Sequence, residues 1–165
     1  MSIAETLLPE LEQELATTRR VLERVPGEKG EWRPHPKSFP LAHLAQLVAT
    51  MPGWVPSILR ETALDLAASS GYTYEKTETL LRVFDANVKQ AKDAVAASTD
   101  ADYAVPWSLQ YHDRVIFTMP RGVVLRQTIN HLVHHRGQLT VYLRLLDVPV
   151  PSIYGPTADE RAPGF

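Results

Sequence analysis

Leucine and valine recur at three-and-four spacing in four separate stretches of this 165-residue chain, each followed by proline, glycine or a turn-rich segment. An α-helix brings every third and fourth residue to one face, so each stretch makes an apolar stripe that must be buried against another. The first helix is predicted over residues 3–24, with Leu7, Leu8, Leu11, Leu15, Val21 and Leu22 on its stripe and Pro26-Gly27 as its stop. The second begins near Ser38, a suitable N-cap, with Pro40 in its first turn, and runs through Leu41, Leu44, Leu47 and Val48. Pro52-Gly53 should kink or end it before a continuation toward Leu66. Residues 69–76 are polar and turn-rich, after which Thr77 can cap a third helix carrying Leu80, Leu81, Phe84, Val88, Ala91 and Val95. The fourth is predicted from about Gly122 to Leu146, on Val124, Leu125, Ile129, Leu132, Leu139, Leu143 and Leu146. The proline-rich DVPVPSIYGP after it cannot continue a helix. Residues 98–120 lose the period, and their short alternating pieces fit a hairpin or a long loop equally. The expectation is an all-α four-helix bundle in one domain over residues 1–165.

Charge narrows the functions open to such a fold. The formal net charge is −2, with lysines and arginines scattered among acids, so a nucleic-acid backbone would meet no basic stripe. The N-terminal segment lacks the basic start and apolar core of a signal peptide, and Leu41–Leu59 is too interrupted to span a bilayer. A cytoplasmic protein that binds neither nucleic acid nor membrane is the expectation. Without cysteine the chain has no disulfide, no thiolate ligand and no cysteine nucleophile, so any thiol chemistry must bring its own thiol.

Three of the six histidines fall within NHLVHHRGQ, residues 130–138. On a helix His131 and His135 lie about 40° apart and one turn above each other, so their rings can converge. His134 and His135 are about 100° apart and cannot both face one point, which leaves one of the three a bystander. His131 with His134 is geometrically allowed, but the stripe through Val124, Thr128, His131, His135, Gln138, Tyr142 and Leu146 favours His135. His43 is the candidate third ligand, because Phe39, Leu47, Met51 and Trp54 share its face. Three neutral imidazoles can hold zinc or a similar divalent ion with a fourth position open, although a lone inward histidine is more often a hydrogen-bonded core residue. Residues 132–134 offer no glutamate where a zincin carries its general base, and no Glu-x-x-His occurs, which removes the usual di-iron pattern.

Taken with His43 and the Ser38-containing loop before it, the run from His131-x-x-x-His135 through Arg136-Gly137-Gln138 to YLRLLDVPVPSIYGP resembles the DinB-like family (DinB/YfiT-like proteins). The resemblance covers nearly the whole chain and is strongest over 121–158. It implies a four-helix bundle whose metal ligands are His43, His131 and His135. Zinc is the first expectation, with nickel and iron also accepted by imidazole. Family members with known activity are thiol-dependent transferases and isomerases using bacillithiol, mycothiol or glutathione, so a small-molecule thiol and an electrophile are the expected partners. The alternative is a non-catalytic metal-binding stress or interaction protein that keeps the same ligands.

Residues near the candidate site have a chemical and a packing reading each. Gly137 inside a helix costs up to about 1 kcal/mol relative to alanine and suits close approach of a neighbouring helix or of a second copy in a homodimer. Arg136 suits an ion pair or a carbonyl contact, or an anionic substrate group. Gln138 and Tyr142 can orient a histidine or touch substrate, while Trp54, Trp107 and Tyr111 can line an apolar pocket.

Overall fold

The computed structural model describes residues 1–68, 71–73 and 76–161, so the turn-rich reading of 69–76 lies outside the described residues at 69–70 and 74–75. Helix α1 (Ile3–Leu22) opens on a capping box: Glu5 N–H donates to the Ser2 hydroxyl, and Ser2 N–H donates to the Glu5 carboxylate. Its stripe enters the core, with Leu7, Leu11, Leu15, Val21 and Leu22 buried. Each such leucine contributes about 1.5–3 kcal/mol relative to an exposed one.

Helix α2 (Leu41–Thr50) starts directly after Pro40, and Ser38 is not its cap. The N–H groups of Leu41 and Ala42, which have no partner within the helix, donate instead to the carbonyls of Trp32 and Gly30 in the preceding loop. Pro52 and Gly53 tighten the path into a 3-10 turn, Met51–Gly53, and it resumes as α3 (Trp54–Arg60). A Cβ at Gly53 would stand 3.0 Å from Asn87 Oδ1, whose side chain is held by donating to the Ala49 carbonyl. A larger residue at this position would push the Asn87 side chain, on α4 (Thr77–Ala96), away by a few tenths of an ångström. Thr77 is the first residue of α4 rather than its cap, and its hydroxyl donates to the Val25 carbonyl at 2.8 Å, tying α4 to the end of α1. Helix α5 (Arg121–Leu145) follows the predicted fourth helix closely. α4 packs on α1, α2 and α3, and α5 packs on the same three, around one apolar cluster.

The all-α expectation is corrected by a three-stranded sheet. The open segment 98–120 forms a 3-10 turn at Asp100–Ala104 and then the hairpin β2 (Pro106–Tyr111) and β3 (Arg114–Pro120), with Trp107 opposite Met119. The predicted helical continuation toward Leu66 holds only to Arg60, beyond which the chain forms β1 (Ala63–Asp65), parallel to β2, with Ala63 opposite Ser108. Glu61 is already extended, and its carbonyl accepts from the Arg121 guanidinium at 2.6 Å, so the chain leaves the helix there. The sheet lies against α3 and α5. The fold is therefore mostly helical with a small sheet, and among the described residues no helix is long and apolar enough to cross a membrane.

The tail after α5 is strapped back by ion pairs. Arg144 pairs with Asp159 and Arg20 with Glu160, while Val150 N–H donates to Asp159 and Ser152 N–H to Glu160. The Arg144 hydrogen bond, then that of Val150, holds the Asp159 carboxyl below its usual range, and the Ser152 hydrogen bond, then Arg20, does so for Glu160. Groups whose pKa is depressed by folding add stability above the unfolded value, about 4, and lose it as pH falls toward the folded value. The Val150 and Ser152 amides should therefore be protected from hydrogen exchange at pH 5 and lose that protection as the pH falls below the usual carboxylate range, after correction for intrinsic rates.

Candidate functional site

The residues on the outer turns of α5 meet as their spacing requires. His131 Nε2 and His135 Nε2 stand 2.8 Å apart, a hydrogen bond in which one ring donates to the other. His135 Nδ1 lies 2.7 Å from Gln138 Oε1, and since an amide oxygen only accepts, the proton sits on Nδ1. That fixes the tautomer: His135 presents its Nε2 lone pair to His131. His134 is the bystander, exposed and ring-to-ring with His135 at 5.1 Å. The stripe is less inward than its spacing implies, for His135, Thr128 and Tyr142 are buried whereas His131 and Gln138 reach solvent. The pair therefore sits where the core meets the surface.

His43 is held differently. Its ring is stacked between Phe39 and Tyr72, at centroid separations of 4.1 and 3.6 Å. Tyr142 positions this end of α2, donating its hydroxyl to the Phe39 carbonyl at 3.2 Å and packing edge-on against Trp32. Burial, then repulsion from His135, lowers the His43 pKa, so the two rings share one electrostatic neighbourhood. Burial, then His135 and His134, does the same for His131. Both rings are held in the neutral form, the form that coordinates metal.

Among the described residues no group of three histidine, aspartate or glutamate side chains is gathered closely enough to hold an ion. The structure brings His131 and His135 together and leaves His43 in its aromatic stack. The donor chemistry nevertheless suits a divalent ion. Two nitrogens at about 2.0–2.1 Å from one tetrahedral ion lie about 3.3 Å apart, so the pair would open by only about half an ångström, and the carbonyl-anchored His135 is the arrangement usual for a ligating imidazole.

Beside the pair lies a cavity of about 400 Å³, with His131 on its wall. Trp54 and Ile58 of α3, Trp107 and Phe117 of the sheet, and Val124 of α5 supply apolar surface. Trp54 and Trp107 thus take the expected places, but Tyr111 is 54% exposed at the hairpin and does not line it. Sequence reasoning missed Gln127, which shares the His131 wall with Thr128 of the expected stripe, and Tyr72, which sits in a segment read only as a turn.

Arg136, one residue past His135, points the opposite way and is 1% exposed. It pairs with Glu14 at 2.7 Å, donates to Thr18 Oγ1 and the Glu14 carbonyl, and donates to the Tyr154 hydroxyl at 2.8 Å, which in turn donates to the Glu14 carboxylate. This is the ion-pair use, joining α5, α1 and the tail. A signal was present: Glu14 stands three residues past Leu11 and four before Thr18 on the buried stripe of α1, and an acid there needs a partner. Gly137 is not a close-approach glycine within the chain, since an added Cβ would meet nothing within 4 Å. Gly137→Ala should therefore stabilise the protein by up to about 1 kcal/mol in urea denaturation.

Helices carrying a paired-histidine turn beside an apolar cavity define a class of protein, and the comparisons say which. The chain matches the DinB family over residues 1–163, and it belongs to that family. Its fold is similar to that of a DinB-like protein from Bacillus cereus ATCC 10987, at 24% identity and a TM-score of 0.70, covering 93% of this chain and 98% of that one. It is also similar to a DinB-like protein, YjoA, from Bacillus subtilis, at 14% identity and a TM-score of 0.69, covering 87% and 96%. A stretch of 44 residues is 50% identical to the uncharacterized protein YrdA of Bacillus subtilis strain 168, covering 27% of this chain and 26%, about a quarter, of that relative.

Proposed function

We propose that this chain is a metal-dependent thiol S-transferase that holds a divalent ion, zinc foremost, on His43, His131 and His135 and directs a low-molecular-weight thiol against an electrophile. The observation that carries the reading is the meeting of His131 and His135 through Nε2, 2.8 Å apart, with the His135 tautomer set by Gln138 and an apolar cavity alongside. A bound ion of this kind stabilises thiolate over thiol, which makes a nucleophile at neutral pH.

The chain's own residues do the rest. Gln138 keeps the His135 proton on Nδ1, so Nε2 keeps the lone pair that would ligate, while His131, which donates its Nε2 proton to that lone pair here, would carry its proton on Nδ1 when an ion took its place. His43 contributes a third neutral imidazole from α2, and Tyr142 fixes that end of the helix. Trp54, with its ring 5.8 Å from that of His131, supplies apolar surface where the cavity meets the pair. With no cysteine in the chain, no internal thiolate competes with the substrate thiol.

The test uses cobalt-loaded protein with bacillithiol, mycothiol and glutathione in turn. The substrate thiol should add a sulfur-to-metal charge-transfer band and release a proton. It should also be consumed by a reactive electrophile faster than in buffer, an acceleration absent from His131→Ala. If none of the three thiols changes the spectrum or reacts above background, the protein is a non-catalytic metal binder.

A further inference from the structure

The cavity beside His131 is chemically one-sided, and that bears on which electrophile it would accept. Apolar side chains from α3 and all three strands surround it, and among the described residues no charged side chain lines it. Its polar groups are Gln127, Thr128 and His131, all on α5, together with the indole N–H groups of Trp54 and Trp107, of which Trp107 Nε1 is buried with no hydrogen-bond partner among the described residues. The Thr128 hydroxyl is already committed to the Val124 carbonyl at 2.9 Å. The Gln127 amide donates only to the Met119 sulfur at 3.8 Å, a weak acceptor that a ligand oxygen would readily replace. A charged group placed against these apolar walls would lose its hydration and meet no opposite charge on the side chains that line them, whereas an uncharged ring would lose only water contact.

We infer that this cavity binds the neutral aromatic body of the second substrate, with one hydrogen-bond acceptor of that molecule turned to Gln127 beside His131. The substrate class is an uncharged aromatic electrophile, whose rings would fill the apolar walls of the cavity. The role as second substrate rests on the thiol-transferase reading, but the binding does not require it. A cavity of about 400 Å³ falls in the range used by small-molecule sites.

Two fluorescent probes test this on the full chain, with and without metal: N-phenyl-1-naphthylamine, which is neutral, and 8-anilinonaphthalene-1-sulfonate, the same rings with a sulfonate. The neutral probe should bind at least about tenfold more tightly, and Leu109→Trp, which fills the cavity from half-buried β2, should weaken it about tenfold. Phe117→Lys, which places a charge on the wall, should have the same effect and serves if the first variant does not fold. Equal affinity for the two probes overturns the inference, and needs no variant to do so. Tight neutral binding unaffected by a folded cavity variant also overturns it, because the probe would then sit elsewhere. The two readings fail separately: a cobalt band with thiol but no neutral preference removes only the cavity inference, and the reverse pattern removes only the transferase reading.

Discussion

Arg136→Ala should lower the melting temperature by roughly 6–20 °C, because it leaves the Glu14 carboxylate buried without its cation. Removing one partner of a buried pair costs about 3–5 kcal/mol, and each kcal/mol moves a chain of this size by about 2–4 °C. The neighbouring groups add to the loss, since Thr18 Oγ1 and the Glu14 carbonyl also accept from this guanidinium. Replacing the pair together, as Glu14→Leu with Arg136→Met, should recover much of the stability, since the charge left alone is the main cost. Tyr154→Phe should cost only about 1–2 kcal/mol, the value of the hydroxyl's hydrogen bonds. Thermal melts followed by circular dichroism measure all three. An Arg136→Ala protein that melts within a degree or two of wild type would show that the network does not hold α5 and the tail to α1.

The second large effect concerns the ion. Protein purified without chelators or an affinity tag should carry close to one divalent ion per chain, and His43→Ala, His131→Ala and His135→Ala should each lose most of it. His134→Ala should keep it, because that ring is exposed and apart from the Nε2 pair. An ion bound only by the folded chain adds about 2.7 kcal/mol at a free concentration one hundred times its dissociation constant, so chelation should lower the melting temperature by several degrees. Elemental analysis beside a thermal melt decides both points. Full occupancy in His135→Ala, or a melting curve unchanged by verified metal removal, would sink the assignment.

The helices were legible because their stripes are long and leucine-rich, and burial at period 3.6 leaves a regular trace. Their starts were misplaced where the chain cap is not local: the first N–H groups of α2 find Gly30 and Trp32 carbonyls, which no Ser-x-x-Glu pattern encodes. The sheet left little trace for a physical reason. β3 is exposed at most positions and β2 buries only Trp107, so neither alternates cleanly, and β1 is three residues long. The His131–His135 meeting followed from spacing within one helix, whereas the stacking of His43 depends on Tyr72, brought in from a turn. The Arg136 partner could have been read from Glu14 on its apolar stripe.

The parallel seam between β1 and β2 has a consequence for how the molecule breathes. Between Asp65 and Pro106 the chain leaves through α4 and returns, so three register pairs close a loop of roughly forty residues. Their cost in chain entropy is met only after α4 has docked, which makes this wall of the cavity among the last parts to form and the first to part. Amides along β1 should exchange through openings cheaper than global unfolding, while α5, held from behind by Arg136, keeps its histidines in place. The sheet is then the wall of the cavity most free to yield to a bound molecule, and the helices are its fixed side.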